Sequence, residues 1–440
     1  MHSSHTTNRS SNARGLRGWM AVGAIALAVS LTTARDAGAQ RSGATVQLLG
    51  SLGPDSLVVS ILTMGQGEEL FDRFGHMSLR VRNVRTGLDS AWNWGMYDFN
   101  SPNFIPRFLT GDTRYWMAGF PSPFLVNYYQ RQGRAVWEQT LDLDRQEADS
   151  LLTFLRWQAR DENKFYRYDY YLDNCSTRVR DAIDAVLGGG LRRAMTGPGR
   201  ALTWRGETLR LAADFPVTGF GMTFALGPRA DVPMSAWEEL FVPMRLRDAI
   251  NDLNVTRPLG QRALVRSEQL LVAEGKFTEA SAAPTFTKAA LLLGLVLACA
   301  FMAFGGLLSE PRWARVTFNV SASAWHLVAG LAGTLVLLAG LFTRHVFMAT
   351  NANVLLGTPV SIALAVLILL PGSSRHRARM LKAATALALF TAAAALLSLA
   401  SHAFEVVSPR DIAPAVFASL GHTAIAFALY WRSHGQGEPT

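Results

Sequence analysis

Beyond about residue 285 the hydrophobic pattern changes period and density. Five apolar runs, near 289–307, 325–342, 354–371, 381–400 and 414–431, each approach the ~20 residues that carry a helix across a bilayer. The connecting segments differ in charge. Segment 308–324 holds Arg312 and Arg315, and 372–382 holds Arg375, Arg377, Arg379 and Lys382. The alternate loops hold Arg344 alone, and Arg410 beside Asp411. Basic loops stay in the cytoplasm, so the first helix starts outside. At the other end, Arg9, Arg14 and Arg17 precede a short apolar core from Trp19 to Leu31, then Ala37-Gly38-Ala39. That order reads as a secretory signal cleaved before Gln40, with an uncleaved anchor as the alternative. The two signals agree. They predict a signal peptide over 1–39, an exported domain over 40–284, and a transmembrane domain of five helices with a cytoplasmic tail over 285–440.

Within the exported part the pattern alternates at several places. Residues 57–62 (LVVSIL), 76–81 (HMSLRV), 90–97 (SAWNWGMY) and 134–143 (RAVWEQTLDL) read as strands. Trp92 and Trp94 then fall on one face and Asn93 on the other. Asp144 and Glu147 have the spacing of a helix capping pair, and Ala148, Leu151, Leu152 and Leu155 form the apolar row of a helix to about Ala159. A tyrosine-rich lead (Tyr166, Tyr168, Tyr170, Tyr171) runs into Asp173-Asn174-Cys175. A second helix follows, with Val179, Ala182, Ile183 and Val186 on one face and Gly188 to Gly190 at its end. Residues 234–241 read as a capped helix broken by Pro243. The rest of 191–284 is less readable. The fold class is α+β for the exported domain, followed by an all-α membrane domain.

Composition narrows the function classes. The 440 residues are 49% hydrophobic and 17% charged, which excludes both a fully soluble protein and a bare bundle of membrane helices. The formal net charge is +9, nearly all from Arg, since Lys occurs only at Lys164, Lys276, Lys288 and Lys382. No stretch interleaves dense basic residues with aromatics, so no nucleic-acid partner is expected. With two cysteines, Cys175 and Cys299, a disulfide scaffold is excluded.

Cys175 is the main chemical candidate. At the first turn of a helix a thiol feels the positive end of the dipole and faces unpaired backbone N–H groups. Both lower its pKa, and the same N–H groups can serve an oxyanion. The alternative is a core cysteine, because Cys175 shares the helical row of Val179 and Ile183. His76 is the only histidine of the exported domain, so a Cys–His pair there must use it. The alternative is a solvent-facing histidine at a strand edge. Asn93 is the favoured third group to orient the imidazole, with Asp72 and Asp89 as rivals. Asn174, Tyr168 and Arg178 are the expected substrate-binding side chains, Arg178 as a cation for a phosphate head group or else simply solvent-facing. No metal and no diffusible cofactor are expected, since no second His or Cys lies within ligand spacing of His76. His345, Asn351 and Asn353 fall at an outer membrane boundary, in a loop or a lipid-facing groove.

The segments FGHMSLRV (74–81), NWGMYDF (93–99) and YDYYLDNCSTRVRD (168–181) resemble the DUF4105 domain, the periplasmic N-terminal domain of Lnb-type lipoprotein N-acyltransferases. The likeness extends through SAWEELFVP (235–243) and the multi-helix C-terminus. A histidine on a strand before a cysteine at a helix start also resembles the circularly permuted papain-like fold of NlpC/P60 and LRAT-type enzymes. The resemblance implies Cys175 as nucleophile and His76 as its base. It implies acyl transfer from a membrane phospholipid to the N-terminal amine of a lipoprotein, at the bacterial inner membrane with the catalytic domain in the periplasm. A periplasmic cysteine hydrolase acting on cell-wall peptides, and a non-enzymatic membrane scaffold, are the competing readings. A reporter fused after Thr440 is expected to be cytoplasmic, and a translocated reporter would break this topology.

Overall fold

Alternating side chains build a sheet that is buried on both faces. The computed structural model describes residues 57–98, 100–258, 260–273, 275–307, 311–370, 374–403 and 412–434, so the expected signal peptide and the end of the tail lie outside the described residues. The sheet comprises β1 (Leu57–Met64), β2 (His76–Asn83), β3 (Asp89–Met96), β4 (Arg114–Pro121), β5 (Val136–Leu141), β6 (Phe165–Arg167) and β7 (Val265–Val272). Its order is β7-β5-β1-β2-β3-β4-β6, and every neighbouring pair is antiparallel. Val59, Ile61, Met77, Leu79, Val81, Trp92 and Trp94 fill one face. Leu62, Met64, Ala91 and Val136 fill the other.

Short helices accompany this sheet, and several pack on it. They include α1 (Phe104–Thr110), α2 (Ser122–Arg131), α3 (Arg145–Gln158), α4 (Cys175–Val186), α5 (Pro216–Ala225) and α6 (Pro243–Asn251). α3 and α4 supply Leu151, Leu155, Val179 and Ile183 to the first face. α2 supplies Leu125 and Tyr129 to the second. The Asp144–Glu147 capping box is present, and the predicted row Ala148, Leu151, Leu152 and Leu155 is buried. Pro243 behaves differently from expectation. The helix before it is a single turn, Ala236–Glu239, capped by Ser235 and Glu238. Pro243 then opens α6, where a missing N–H costs nothing because that position has no intrahelical acceptor.

Among the described residues, five apolar helical stretches follow, long and apolar enough to cross a membrane. Their helices are α7 (Thr287–Met302), α8 (Arg312–Phe342), α9 (Pro359–Leu369), α10 (Ser374–Ala403) and α11 (Ala413–His434). The third stretch is broken. A 3-10 turn, Ala352–Leu356, precedes the 11 residues of α9. Non-helical backbone among membrane helices needs partners from the protein. His422 of α11 supplies one, its Nε2 donating to the Leu356 carbonyl at 2.9 Å.

The loop between α8 and α9 reaches back into the exported domain. Phe347 is 1% exposed and packs among Tyr171, Trp204 and Phe241. Its carbonyl accepts from the Gly227 N–H at 2.7 Å. Asn351 Nδ2 donates to the carbonyls of Phe224 and Ala225, both at 2.9 Å, and Asn353 Nδ2 donates to Phe224 at 2.9 Å. These carbonyls end α5, where a helix has no backbone donors left to offer. His345, Asn351 and Asn353 therefore belong to a docking loop, not a lipid-facing groove. This loop is one that the charge pattern places outside, on the side of the exported domain.

Phe347→Ala is expected to cost about 3–5 kcal/mol, the usual range for emptying a buried aromatic site. Thermal unfolding of the purified protein should show a clearly lower midpoint, with exposed Val84→Ala as the neutral control. An unchanged midpoint for Phe347→Ala would show that the exported domain does not depend on this plug.

Candidate active site

β2, β3 and α4 meet at one end of the sheet. His76 is the first residue of β2. The β2–β3 register pairs Ser78 with Asn93, which sets Asn93 beside His76 on the face opposite Trp92 and Trp94. His76 Nε2 lies 3.2 Å from Asn93 Oδ1. Asn93 Nδ2 donates to the Ala91 carbonyl at 3.3 Å, so the amide turns its oxygen toward the ring. An amide oxygen only accepts, so Nε2 carries the proton and Nδ1 is left as the acceptor. The Tyr129 ring stacks on the imidazole, with centroids 6.1 Å apart. The other two candidates for the third group are engaged elsewhere. Asp72 pairs with Arg134, and Asp89 with Arg80.

Cys175 begins α4, and Asn174 caps it. The Asn174 side chain accepts from the Thr177 N–H, and Thr177 Oγ1 accepts from the Asn174 N–H in return. The Cys175 thiol forms no disulfide and is enclosed by the protein, although the residue as a whole keeps some exposed surface. It stands outside the core cluster that takes Val179, Ala182 and Ile183 from the same helix. Backbone N–H groups of Met77, Ser176 and Cys175 itself point at the sulfur. Met77 is the residue after His76 and lies just before the β2–β3 register begins. β3 makes room here. It bulges between Asn93 and Met96, and Gly95 takes φ 90°, where a side chain is strained. A Cβ on Gly95 would stand 4.0 Å from the Cys175 Cβ and 3.9 Å from the Tyr168 ring.

Burial decides the charge state of the pair. It pushes the Cys175 thiol up to about 11, against the lowering pull of the three N–H groups and of the Arg134 charge. It holds His76 down to about 4, helped by Arg134 and opposed by the Asn93 hydrogen bond. The expected depressed thiol is thus corrected. Two units correspond to about 3 kcal/mol against ionisation. A helix N-terminus contributes roughly 0.3–1 kcal/mol. The pair rests as a thiol and a neutral imidazole. The N–H groups remain aimed where negative charge develops once a reaction starts.

The expected substrate-binding residues divide. Tyr168 lines the thiol and stacks on Tyr115 at 4.3 Å. Asn174 is fully used. Besides its capping bonds, Nδ2 donates to the carbonyls of Tyr170 at 3.1 Å and Phe241 at 3.0 Å. Arg178 is gripped by both carboxylate oxygens of Asp173 and lies over the Tyr166 ring, so its charge is already matched. This revises the expectation of a cation free for a head group. Arg134 carried no sequence signal beyond a strand start. It is 2% exposed, donates to the Gly65 carbonyl and Asp72, and biases both His76 and Cys175. Among the described residues no group of three or more His, Cys, Asp or Glu side chains gathers as metal ligands.

In a Cys299→Ser background, alkylation of Cys175 should be slower than that of free cysteine at pH 8 and should climb with a midpoint near 11. The His76 value runs the other way. Its folded pKa is lowered toward 4, so its contribution to stability is present above the unfolded value of 6.5 and is lost as pH falls toward 4. A Cys175 midpoint at or below 8 would show a resting thiolate–imidazolium pair instead.

Residues 44–206 match the family model of the Lnb N-terminal periplasmic domain, a span that includes His76, Asn93 and Cys175. No curated protein and no solved structure matches the chain. The matched stretch is similar to a periplasmic domain of the Lnb type, and among the described residues it is followed by five helices long and apolar enough to cross a membrane.

Proposed function

We propose that the protein is a cysteine-dependent acyltransferase that moves an acyl chain from a membrane phospholipid to the N-terminal amine of a lipoprotein. The supporting observation is the position of the Cys175 and His76–Asn93 cluster in a domain plugged onto the outer ends of membrane helices. Both substrates are lipids, and a tethered catalyst meets them at the interface without extracting either. The similarity of residues 44–206 to the Lnb periplasmic domain points the same way. The domain is read as permuted papain-like, with the histidine strand before the cysteine helix. It belongs in the periplasm, with the spans in the inner membrane.

The chemistry follows from the resting charges. With thiol and imidazole both neutral, proton transfer accompanies attack. As Cys175 Sγ bonds to the ester carbonyl carbon, its proton passes to His76 Nδ1. The N–H groups of Met77 and Ser176 take the carbonyl oxygen as it becomes an oxyanion. The C–O bond breaks, His76 returns the proton to the leaving oxygen, and a lysophospholipid departs. The acyl group is now a thioester on Cys175. The neutral amine attacks it and gives a proton to His76. The C–S bond breaks and the thiol is restored. Asn93 holds the ring by Nε2 throughout and so leaves Nδ1 as the nitrogen that takes the proton.

A cysteine hydrolase would use the same dyad with water as acceptor. Its peptide substrates give no reason for the plug that fixes the domain to the membrane helices. Cys175→Ala should abolish N-acylation in a strain lacking this activity. His76→Ala should slow it at least ~100-fold, the lower range for loss of a general base. Mass spectrometry of the trapped enzyme should show one acyl adduct on Cys175. Full N-acylation by Cys175→Ala would end the proposal.

A further inference from the structure

α1 leaves its apolar residues uncovered. Ile105 is 47% exposed, Phe108 50% and Leu109 41%. With Phe104 they fall at i, i+1, i+4 and i+5, on one face of a short helix, and Arg107 lies off that face. A single exposed apolar side chain means little, but a contiguous set marks an interaction surface. The contacts of α1 fix its depth. The Thr110 carbonyl accepts from the Arg344 N–H at 2.9 Å, and the Phe108 carbonyl lies 3.1 Å from His345 Nε2. Both partners stand just beyond Phe342, where α8 ends. Leu341 and Phe342 are themselves 65% and 75% exposed. α1 therefore sits against the loop just beyond the outer end of a membrane span, at the level of the outer-leaflet boundary.

Aromatic rings connect this helix to the thiol. Phe108 and Phe104 stand 6.2 Å apart between centroids, Phe104 and Tyr97 6.3 Å, Tyr97 and Tyr115 5.1 Å, and Tyr115 and Tyr168 4.3 Å. Tyr168 borders the space that Gly95 keeps open beside Cys175. We propose that α1 lies in the outer leaflet and that one acyl chain of the phospholipid donor runs along this aromatic wall, bringing its ester to Cys175. An amphipathic helix with aromatic and aliphatic residues on one face suits the acyl boundary. Rigid rings give a chain an apolar wall at little entropic cost. The inference rests on the acyltransferase reading for the identity of the reacting group, but not for the presence of lipid.

The test places a benzoylphenylalanine photocrosslinker in the full-length protein, one position at a time, in phosphatidylethanolamine nanodiscs. The positions are Ile105, Tyr97 and, as control, Val84, which is 65% exposed beyond the end of β2 opposite His76. After irradiation, mass spectrometry should find phospholipid adducts at 105 and 97, severalfold above 84. Adducts at 105 but not at 97 would overturn the acyl path. Yields at 105 no higher than at 84 would overturn the placement of α1. Measuring the acyl adduct on Cys175 in the same nanodisc samples, with the thiol left intact, separates the two ideas. Crosslinks at 105 and 97 in protein that forms no acyl adduct on Cys175 would sink the proposed function and leave this surface standing. An acyl adduct on Cys175 without crosslinks at 105 and 97 would do the reverse.

Discussion

The Asn174 side chain is the joint on which the site depends. It caps α4, so it sets where the helix that carries Cys175 begins. The same amide donates to Tyr170 in the tyrosine lead and to Phe241 in a segment far along the chain. Next to it, Ser176 Oγ donates to the Leu240 carbonyl at 2.7 Å. The position of Cys175 is thus fixed by three segments at once. Phe241 and Tyr171 are also two walls of the aromatic cluster that receives Phe347. A short chain of contacts therefore runs from the outer loop of the membrane helices to the start of α4. Losing a buried cap leaves backbone donors unsatisfied, which costs more than the bond itself contributes.

The electrostatics suit the role proposed for Cys175. A permanently charged thiolate would attract water and would be exposed to oxidation. Here burial keeps the thiol protonated and the imidazole neutral, while three N–H groups and the Arg134 charge stand ready for negative charge. Arg134 can remain buried because the Gly65 carbonyl and Asp72 engage it. Its field acts in opposite senses on the dyad, favouring thiolate and disfavouring imidazolium. It therefore favours charge that develops on the substrate side over charge stored on the base. Donors already in place when that charge appears need no reorganisation.

Periodicity and capping made much of this legible. The alternation of 90–97 put Asn93 opposite the tryptophans, and the register bears out that facing. The row Val179, Ala182 and Ile183 located α4 and hence the helix-start position of Cys175. The apolar runs located five spans, although the third proved to be a turn followed by a short helix. What was missed has physical reasons. α1 is 7 residues long and contains Pro106, too short to show a period. β7 is a mostly exposed edge strand with polar side chains, held by backbone pairing to β5. Arg134 acquires its role from Asp72, which no local pattern connects to it. The thiol pKa was misjudged because the helix dipole is a local effect and burial is a tertiary one.

The broken third span accounts for how the two halves of the protein hold together. A helix unbroken from residue 352 to 369 would have satisfied its own backbone. Instead residues 352–356 form a 3-10 turn ahead of the 11 residues of α9. Gly357 comes so close to Ala329 and Gly333 of α8 that a Cβ there would collide with backbone. His422 supplies the donor that the open Leu356 carbonyl needs. The loop ahead of this turn carries Phe347 into the exported core, and Asn351 and, within the turn, Asn353 reach the end of α5. α5 in turn rests on the membrane helices, with Phe220 against Phe286 and Phe417. The membrane region is thus more than an anchor. Its outer loop is a wall of the domain that holds Cys175, so the distance from sulfur to bilayer is set by packed side chains and not by a flexible linker.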